Sequence, residues 1–319
     1  MKKFLVFLSI ILFFGCQEQV IELDIPDHDP FLVVNGILNT DSIISLNVSH
    51  SVGAFDQDSI NSLSDADILL IENGEEIGQM VPEGVDNFWL EGSYNWTEVP
   101  IFNYVIYGPD GVKLKPQSGS NYTIEVGHVN YEPVFAETTV PLLNDIINSE
   151  VVSNTHPDLN STLNFSLPDV LGKKNHYRLI LYKFILYEGG QKKIPIELHS
   201  NDPSFTQGGI PWQGYSFSGQ EVVFTDDLFE DEIKDISFDF NLEDDATLLL
   251  EITSFSEEAF DYFNSIYTNS NKFIFNFGTE PVPIFTNVEN GAGIFASETS
   301  KTYISDLDEN DATIIFVPY

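Results

Sequence analysis

From Phe31 onward the chain is cut, again and again, into short β-branched and aromatic runs by Gly, Pro, Asn and Asp. FLVVNGILN (Phe31–Asn39) and SIISLNVS (Ser42–Ser49) come first, and ADILLIENGEEIGQMV (Ala66–Val81) carries Asn73-Gly74 near its centre. Asn-Gly signals a two-residue hairpin, because both central positions need a positive φ. NYTIEV (Asn121–Val126) and PVFAETTVP (Pro133–Pro141) alternate apolar with polar residues. That period gives each strand one face for a core and one for water. A short strand cannot bury its apolar face alone. It needs a second sheet laid over the first, so the pattern predicts an all-β chain built of β-sandwiches.

The pattern restarts after Pro141–Asn148. STLNFSLPD (Ser161–Asp169), HYRLILYKFILYE (His176–Glu188), EVVFTDDLF (Glu221–Phe229), DISFDFN (Asp235–Asn241) and ATLLLEITS (Ala246–Ser254) read as strands. So do shorter pieces at Gly293–Ser297, Thr302–Ser305 and Ala312–Val317. At about 100–200 residues per domain, the length predicts two sandwiches, over 31–145 and 146–319. One helix is expected near 256–271, within SEEAFDYFNSIYTNSNK (Ser256–Lys272). Ser256 is placed to cap it, and Glu257 and Glu258 suit the positive end of the helix dipole. Phe255 and Phe260 have hydrophobic-staple spacing. Ala259, Phe263, Ile266 and Tyr267 share one face at helical period, expected to pack on a sheet.

The single cysteine, Cys16, rules out an internal disulfide. Its position is informative. Lys2 and Lys3 precede an apolar run from Phe4 to Phe14, interrupted by Ser9, and Gly15 stands directly before the thiol. The run is too short to span a bilayer, which takes about 20 residues, and has the length of a signal-peptide core. Gly-Cys at its end is a lipobox pattern: residues 1–15 are cut away and Cys16 is acylated. Each buried methylene of the acyl chains then contributes about 0.8 kcal/mol of membrane affinity. QEQVIELDIPDHDP (Gln17–Pro30) reads as an acidic tether, completing a lipidated segment over 16–30.

Fifty acidic residues against 13 basic ones give a formal charge of −37. A nucleic-acid partner is excluded on that count, since binding needs basic surface to displace counterions. The 26 Phe and 13 Tyr exclude an acidic disordered chain. Lys173, Lys174, Arg178, Lys183, Lys192 and Lys193 cluster within one stretch, which reads as solvated strand ends or a docking patch for an acidic partner.

A search for chemistry yields no catalytic signature and no metal or cofactor site. GYSFSG (Gly214–Gly219) has Ser218 where a nucleophile elbow needs its second glycine. The six histidines form no close ligand pair. DLDEND (Asp306–Asp311) lacks the glycine and the closing glutamate of a calcium loop. TDDLFEDE gathers Asp226, Asp227, Glu230, Asp231 and Glu232, as an acidic surface does. Trp89, Trp96 and Trp212 sit in Gly-, Asn- and Pro-rich stretches and are the candidate contacts for a sugar ring or a partner protein. Asp41-Ser42-Ile43 and Asp58-Ser59-Ile60 match a short O-glycosylation acceptor pattern of exported Bacteroidota proteins.

Several segments resemble those of an outer-membrane lipoprotein family of Bacteroidota, the domain-of-unknown-function family DUF4249. They are FLVVNGIL (Phe31–Leu38), FAETTVP (Phe135–Pro141), HYRLILY (His176–Tyr182), VVFTDDLF (Val222–Phe229), ITSFSEEAFDYFNSI (Ile252–Ile266) and PIFTNVENGAGIFA (Pro283–Ala296). The most specific is N-V-x-N-G-x-G-I-F, where Gly291 and Gly293 are expected to make a tight positive-φ turn. The resemblance implies an immunoglobulin- or transthyretin-like first domain and a fibronectin-like second. It also implies gene neighbours encoding TonB-dependent transporters. It supplies no catalytic residues, and only Cys16, the lipid anchor, carries over. The chain is therefore expected to be a non-enzymatic outer-membrane lipoprotein at the cell surface, accessory to a TonB-dependent barrel in nutrient capture or uptake. The alternative is a free-standing surface glycan-binding lipoprotein.

Overall fold

The computed structural model describes residues 29–53, 61–85, 101–156, 158–187, 190–205, 214–228, 233–242, 246–275, 283–308 and 313–319. Cys16, Trp89, Trp96 and Trp212 lie outside them. The fold is all-β with one helix. In chain order the first group of strands is β1 (Leu32–Asn39), β2 (Ser45–His50), β3 (Asp67–Glu72), β4 (Glu75–Gln79), β5 (Val81–Val85), β6 (Ile101–Val105), β7 (Asn121–His128) and β8 (Tyr131–Thr139). The second begins with β9 (Ile147–Ser153), β10 (Ser161–Pro168), β11 (His176–Tyr187), β12 (Gly190–Pro195), β13 (Leu198–Ser200), β14 (Phe217–Gly219) and β15 (Val222–Thr225). It continues with β16 (Ile233–Phe240), β17 (Thr247–Phe255), the helix α1 (Glu257–Phe275), β18 (Ala292–Asp308) and β19 (Thr313–Pro318).

The first sandwich sets β4-β3-β7-β8 against β1-β2-β6-β5. Alternation works as read: along β1, Leu32, Val34 and Leu38 are buried, facing Ile68 and Leu70 of β3 and Ile124 and Val126 of β7 in one core. Asn73 and Gly74 both take positive φ at the β3–β4 turn. The second sandwich packs Leu163, Phe165 and Leu167 of β10 and Phe238 of β16 over Tyr177, Leu179 and Leu181 of β11 and Leu250 of β17.

One strand joins the two. Its sequence read as two short pieces, but β18 runs unbroken for 17 residues. Its first part pairs in parallel with β1, Val33 opposite Ala292 through Asn39 opposite Glu298. The remainder pairs antiparallel with β17 and β19. The polar residues 298–301 separate those two pieces in the sequence. Here the strand passes between the cores, and its hydroxyls have partners. Ser297 Oγ donates to Thr139 O (2.9 Å), and Thr299 Oγ1 donates to Pro141 O (2.6 Å). The same strand straps down the connection between the sandwiches, through Lys301 Nζ to Asp145 Oδ1 (2.8 Å) and Tyr303 OH to the same oxygen (3.2 Å). Val140 belongs to the first core and Leu143 to the second, and Val288 and Phe295 join the first core from the C-terminal part of the chain.

The N-V-x-N-G-x-G-I-F segment starts β18. Asn287 Nδ2 donates to Phe295 O (2.7 Å) while Asn287 Oδ1 accepts from Phe295 N–H (3.0 Å), which closes the turn from within. Positive φ falls at Asn290 (61°) and Gly293 (100°) rather than at Gly291. Gly291 serves close approach instead: a Cβ there would stand 2.6 Å from Leu32 O.

Candidate functional site

The site grows out of β11. Tyr177, Leu179 and Leu181 enter the core, so the pleat turns His176 and Arg178 to the opposite face. On β17 the same period turns Glu251, Thr253 and Phe255 to that face, where Arg178 is paired in register with Thr253. Helix α1 is laid across it. Ser256 caps the helix as expected, its Oγ accepting from Ala259 N–H (3.3 Å). It also ties the cap to β18 by accepting from Ser297 N–H (3.2 Å). Ala259 is fully buried in a small third core with Phe255 and with Ile294 and Ala296 of β18.

The predicted apolar face of the helix is not wholly covered. Phe263, Ile266 and Tyr267 remain 37, 38 and 50 % exposed. The sheet buries Ala259 in the first turn, and among the described residues the face beyond it stays partly open. Phe260, at the expected staple position, stacks on His176 (4.1 Å between ring centroids), while Phe263 lies 5.5 Å from Phe255. Between this face and the strands lies a groove of about 560 Å³, walled by Phe255, Phe260, Phe263, Ile266 and Tyr267, with Val223 and Arg178 opposite.

Arg178 is the chain's only arginine. Its guanidinium sits 5.1 Å from the centre of the Phe255 ring. Nε is 3.8 Å from Glu221 Oε1, Nη2 is 4.0 Å from Glu251 Oε1, and Nη2 donates to Thr253 Oγ1 at 3.4 Å. The two carboxylate separations exceed hydrogen-bonding length. Nε is buried without a hydrogen-bond partner. Two other members of the basic cluster read from the sequence are paired, Lys174 with Asp227 (3.0 Å) and Lys193 with Glu251 (3.5 Å).

Other sequence candidates resolve into structural roles. Asp226 accepts from Asn175 N–H (2.8 Å) and Asn175 Nδ2 (2.9 Å), fixing the loop before β11. Ser218 lies within β14 and donates to Glu197 (2.6 Å), not to a histidine. Among the described residues no group of three His, Cys, Asp or Glu is placed to hold a metal ion. A second cavity, of about 550 Å³, lies by β12 and β13, with Asp158, Lys183, Glu197 and His199 in its lining.

His176, buried and stacked on the groove residue Phe260, is a histidine that the sequence search did not single out. The alternation of HYRLILY already sets it on the face of Arg178. Burial pushes its pKa down, Lys174 adds to this, and Asp226, Glu257 and Asp261 oppose it. An unfolded histidine titrates near ~6.5. Below that pH the unfolded chain takes up a proton that the native imidazole refuses. Stability from this group is therefore complete above about pH 6.5 and falls as the pH drops toward the depressed native value. His199 is shifted the same way, by burial first. Urea midpoints are expected to fall between about pH 7.5 and about pH 5.5, and His176→Phe to remove part of the fall. A midpoint that does not change over that interval, or an undiminished fall in the variant, would show that His176 protonates in the native state without penalty.

The solved structures that align with this chain do so weakly. Salmonella α2-macroglobulin reacted with methylamine aligns over 94 % of this chain at 11 % identity and a TM-score of 0.25, and this chain spans only 17 % of it. A structure reported as manganese lipoxygenase of Gaeumannomyces graminis with partial zonadhesin of Komagataella pastoris aligns over 71 % of this chain and 88 % of its own, at 10 % identity and a TM-score of 0.18. No curated protein matches. The family profile described as "Domain of unknown function (DUF4249)" matches residues 18–304, which include the residues on both walls of the groove, and the chain belongs to that family.

Proposed function

We propose that this chain is a non-catalytic, lipid-anchored subunit of the outer membrane that works beside a TonB-dependent barrel in nutrient capture or uptake. The observation that carries the reading is the shared strand, taken with the Gly15-Cys16 signal at the N-terminus. The tether enters at β1, level with the start of β18, and Arg178 lies level with Ser300 through its pairing with Thr253. At ~3.3 Å per residue, the groove stands roughly 25 Å further along that strand. A body that fixes a binding groove at a set height above an anchor suits presentation to a neighbouring barrel. No helix among the described residues is long and apolar enough to cross a membrane, and the proposed attachment is through acyl chains on Cys16.

The C-terminal Tyr319 is 69 % exposed and accepts a tag. Purification from native outer membranes in mild detergent is expected to bring down a TonB-dependent barrel in stoichiometric amount. A solitary, lipidated protein would overturn the partner and leave the free-standing glycan-binding reading to be tested, with Trp212→Ala as its first variant.

A further inference from the structure

We propose that the groove between α1 and the β11–β17 face binds an apolar molecule carrying a single carboxylate, with Arg178 as its anchor. This goes beyond the partnership with a barrel and does not depend on it.

Three observations converge. The first is size and lining. A volume of about 560 Å³ lies within the usual range of small-molecule sites, and its aromatic and aliphatic walls match their usual lining. Phe263, Ile266 and Tyr267 leave apolar area in water that an occupant would cover at about 25 cal/mol per Å². The second is the unused capacity of Arg178. Guanidinium carries five N–H donors in a planar fork that matches a carboxylate. Among the described residues its side-chain hydrogen bond is the long contact to Thr253, and the carboxylate oxygens of Glu221 and Glu251 stand off at 3.8 and 4.0 Å. The centre of the Phe255 ring lies 5.1 Å from the guanidinium carbon.

The third is charge. Glu221 and Glu251 already flank the arginine, and Lys193 pairs with Glu251, so a dianion such as a phosphate monoester would add two negative charges to a cluster whose two cations already face two carboxylates. A cationic ligand would face the guanidinium itself. A monocarboxylate exchanges one for one with Glu221, whose side chain is 53 % exposed and can turn to water. The apolar part of the ligand then lies along Phe260, Phe263 and Ile266. The formal charge of −37 opposes an anion at long range, but screening at physiological salt confines that field to about 8 Å.

The probe is decanoate, measured by titration calorimetry against the chain from Gln17 to Tyr319. Every residue of the three cores lies within that span, so the folded body is kept and no detergent competes for the groove. One decanoate is expected to bind per chain. Methyl decanoate, which has the same apolar chain and no charge, is expected to bind at least tenfold more weakly, a difference of about 1.4 kcal/mol. Arg178→Gln is expected to lower decanoate affinity by a similar factor and to leave the ester unchanged. Ile266→Asp, a change to the wall at a half-exposed position, is expected to weaken both. Absence of decanoate binding would overturn the proposal. So would an ester as tight as the acid, tighter binding of decyltrimethylammonium, or an Arg178→Gln variant that binds decanoate as before. Uptake of several molecules per chain without saturation would show adsorption to surface and overturn it as well.

Discussion

Gly293→Ala is expected to destabilise this protein by on the order of 4 kcal/mol, a large part of a typical domain's total. Gly293 holds φ at 100° where it pairs with Val34 of β1. A Cβ at this position would stand 1.9 Å from Val34 O and 2.8 Å from Val34 C. The backbone conformation alone costs a non-glycine residue about 1–3 kcal/mol. The collision adds to this, because Val34 cannot retreat: it is fully buried in the first core and also paired with Val48. Gly172→Ala is the control, since Gly172 also has positive φ (82°) but nothing within 4 Å of its added Cβ. Urea unfolding of both variants checks the difference. Equal losses would show that the close approach of β18 to β1 is not what requires glycine.

The second large effect concerns the apparent independence of the first sandwich. A chain ending at Ile146 contains every strand from β1 to β8 and is expected not to unfold cooperatively. It lacks the seven-pair parallel partner of β1, and Val288 and Phe295 are missing from its core. Removing Phe295 alone leaves a gap of the kind that costs about 3–5 kcal/mol. The open edge of β1 would also invite pairing with other chains. A synthetic peptide covering residues 283–305, added to the truncated chain, is expected to restore a cooperative transition. A truncated chain that unfolds sharply at the full-length midpoint without the peptide would sink the shared-strand account.

Strands and helix were legible in the sequence wherever a single period governs a segment. The alternation in FLVVNGILN and in HYRLILY corresponds directly to burial in β1 and β11, and the Ser256 cap stands where its chemistry placed it. What the sequence hid is what depends on partners distant along the chain. SETSK in β18 is polar because its hydroxyls meet backbone carbonyls from Thr139 and Pro141, and a local reading takes such a run for a loop. The helix face at Ala259, Phe263, Ile266 and Tyr267 was visible as a face. Periodicity states which residues share a side but not how far the opposing sheet extends, so the open part of that face and the groove under it were not visible. Arg178 was read as one member of a basic cluster. Only the register of β11 with β17 sets it apart from its neighbours, facing Thr253 and an aromatic wall. The sequence candidates Cys16, Trp89, Trp96 and Trp212 lie outside the described residues.

The parallel pairing of β1 with β18 also decides how the protein answers a mechanical load. The preceding chain enters at the N-terminal end of β1, while the second sandwich pairs with the C-terminal half of β18. A pull between the N-terminal end of β1 and the second sandwich therefore draws β1 and β18 in opposite directions along their own length. The hydrogen bonds of a parallel ladder are evenly spaced, so all of the register pairs from Val33–Ala292 to Asn39–Glu298 share the force in shear. Had the two strands run antiparallel, the same pull would open them one pair at a time, like a zip. Under a load applied between those two points, the two sandwiches are held together by the more resistant of the two geometries.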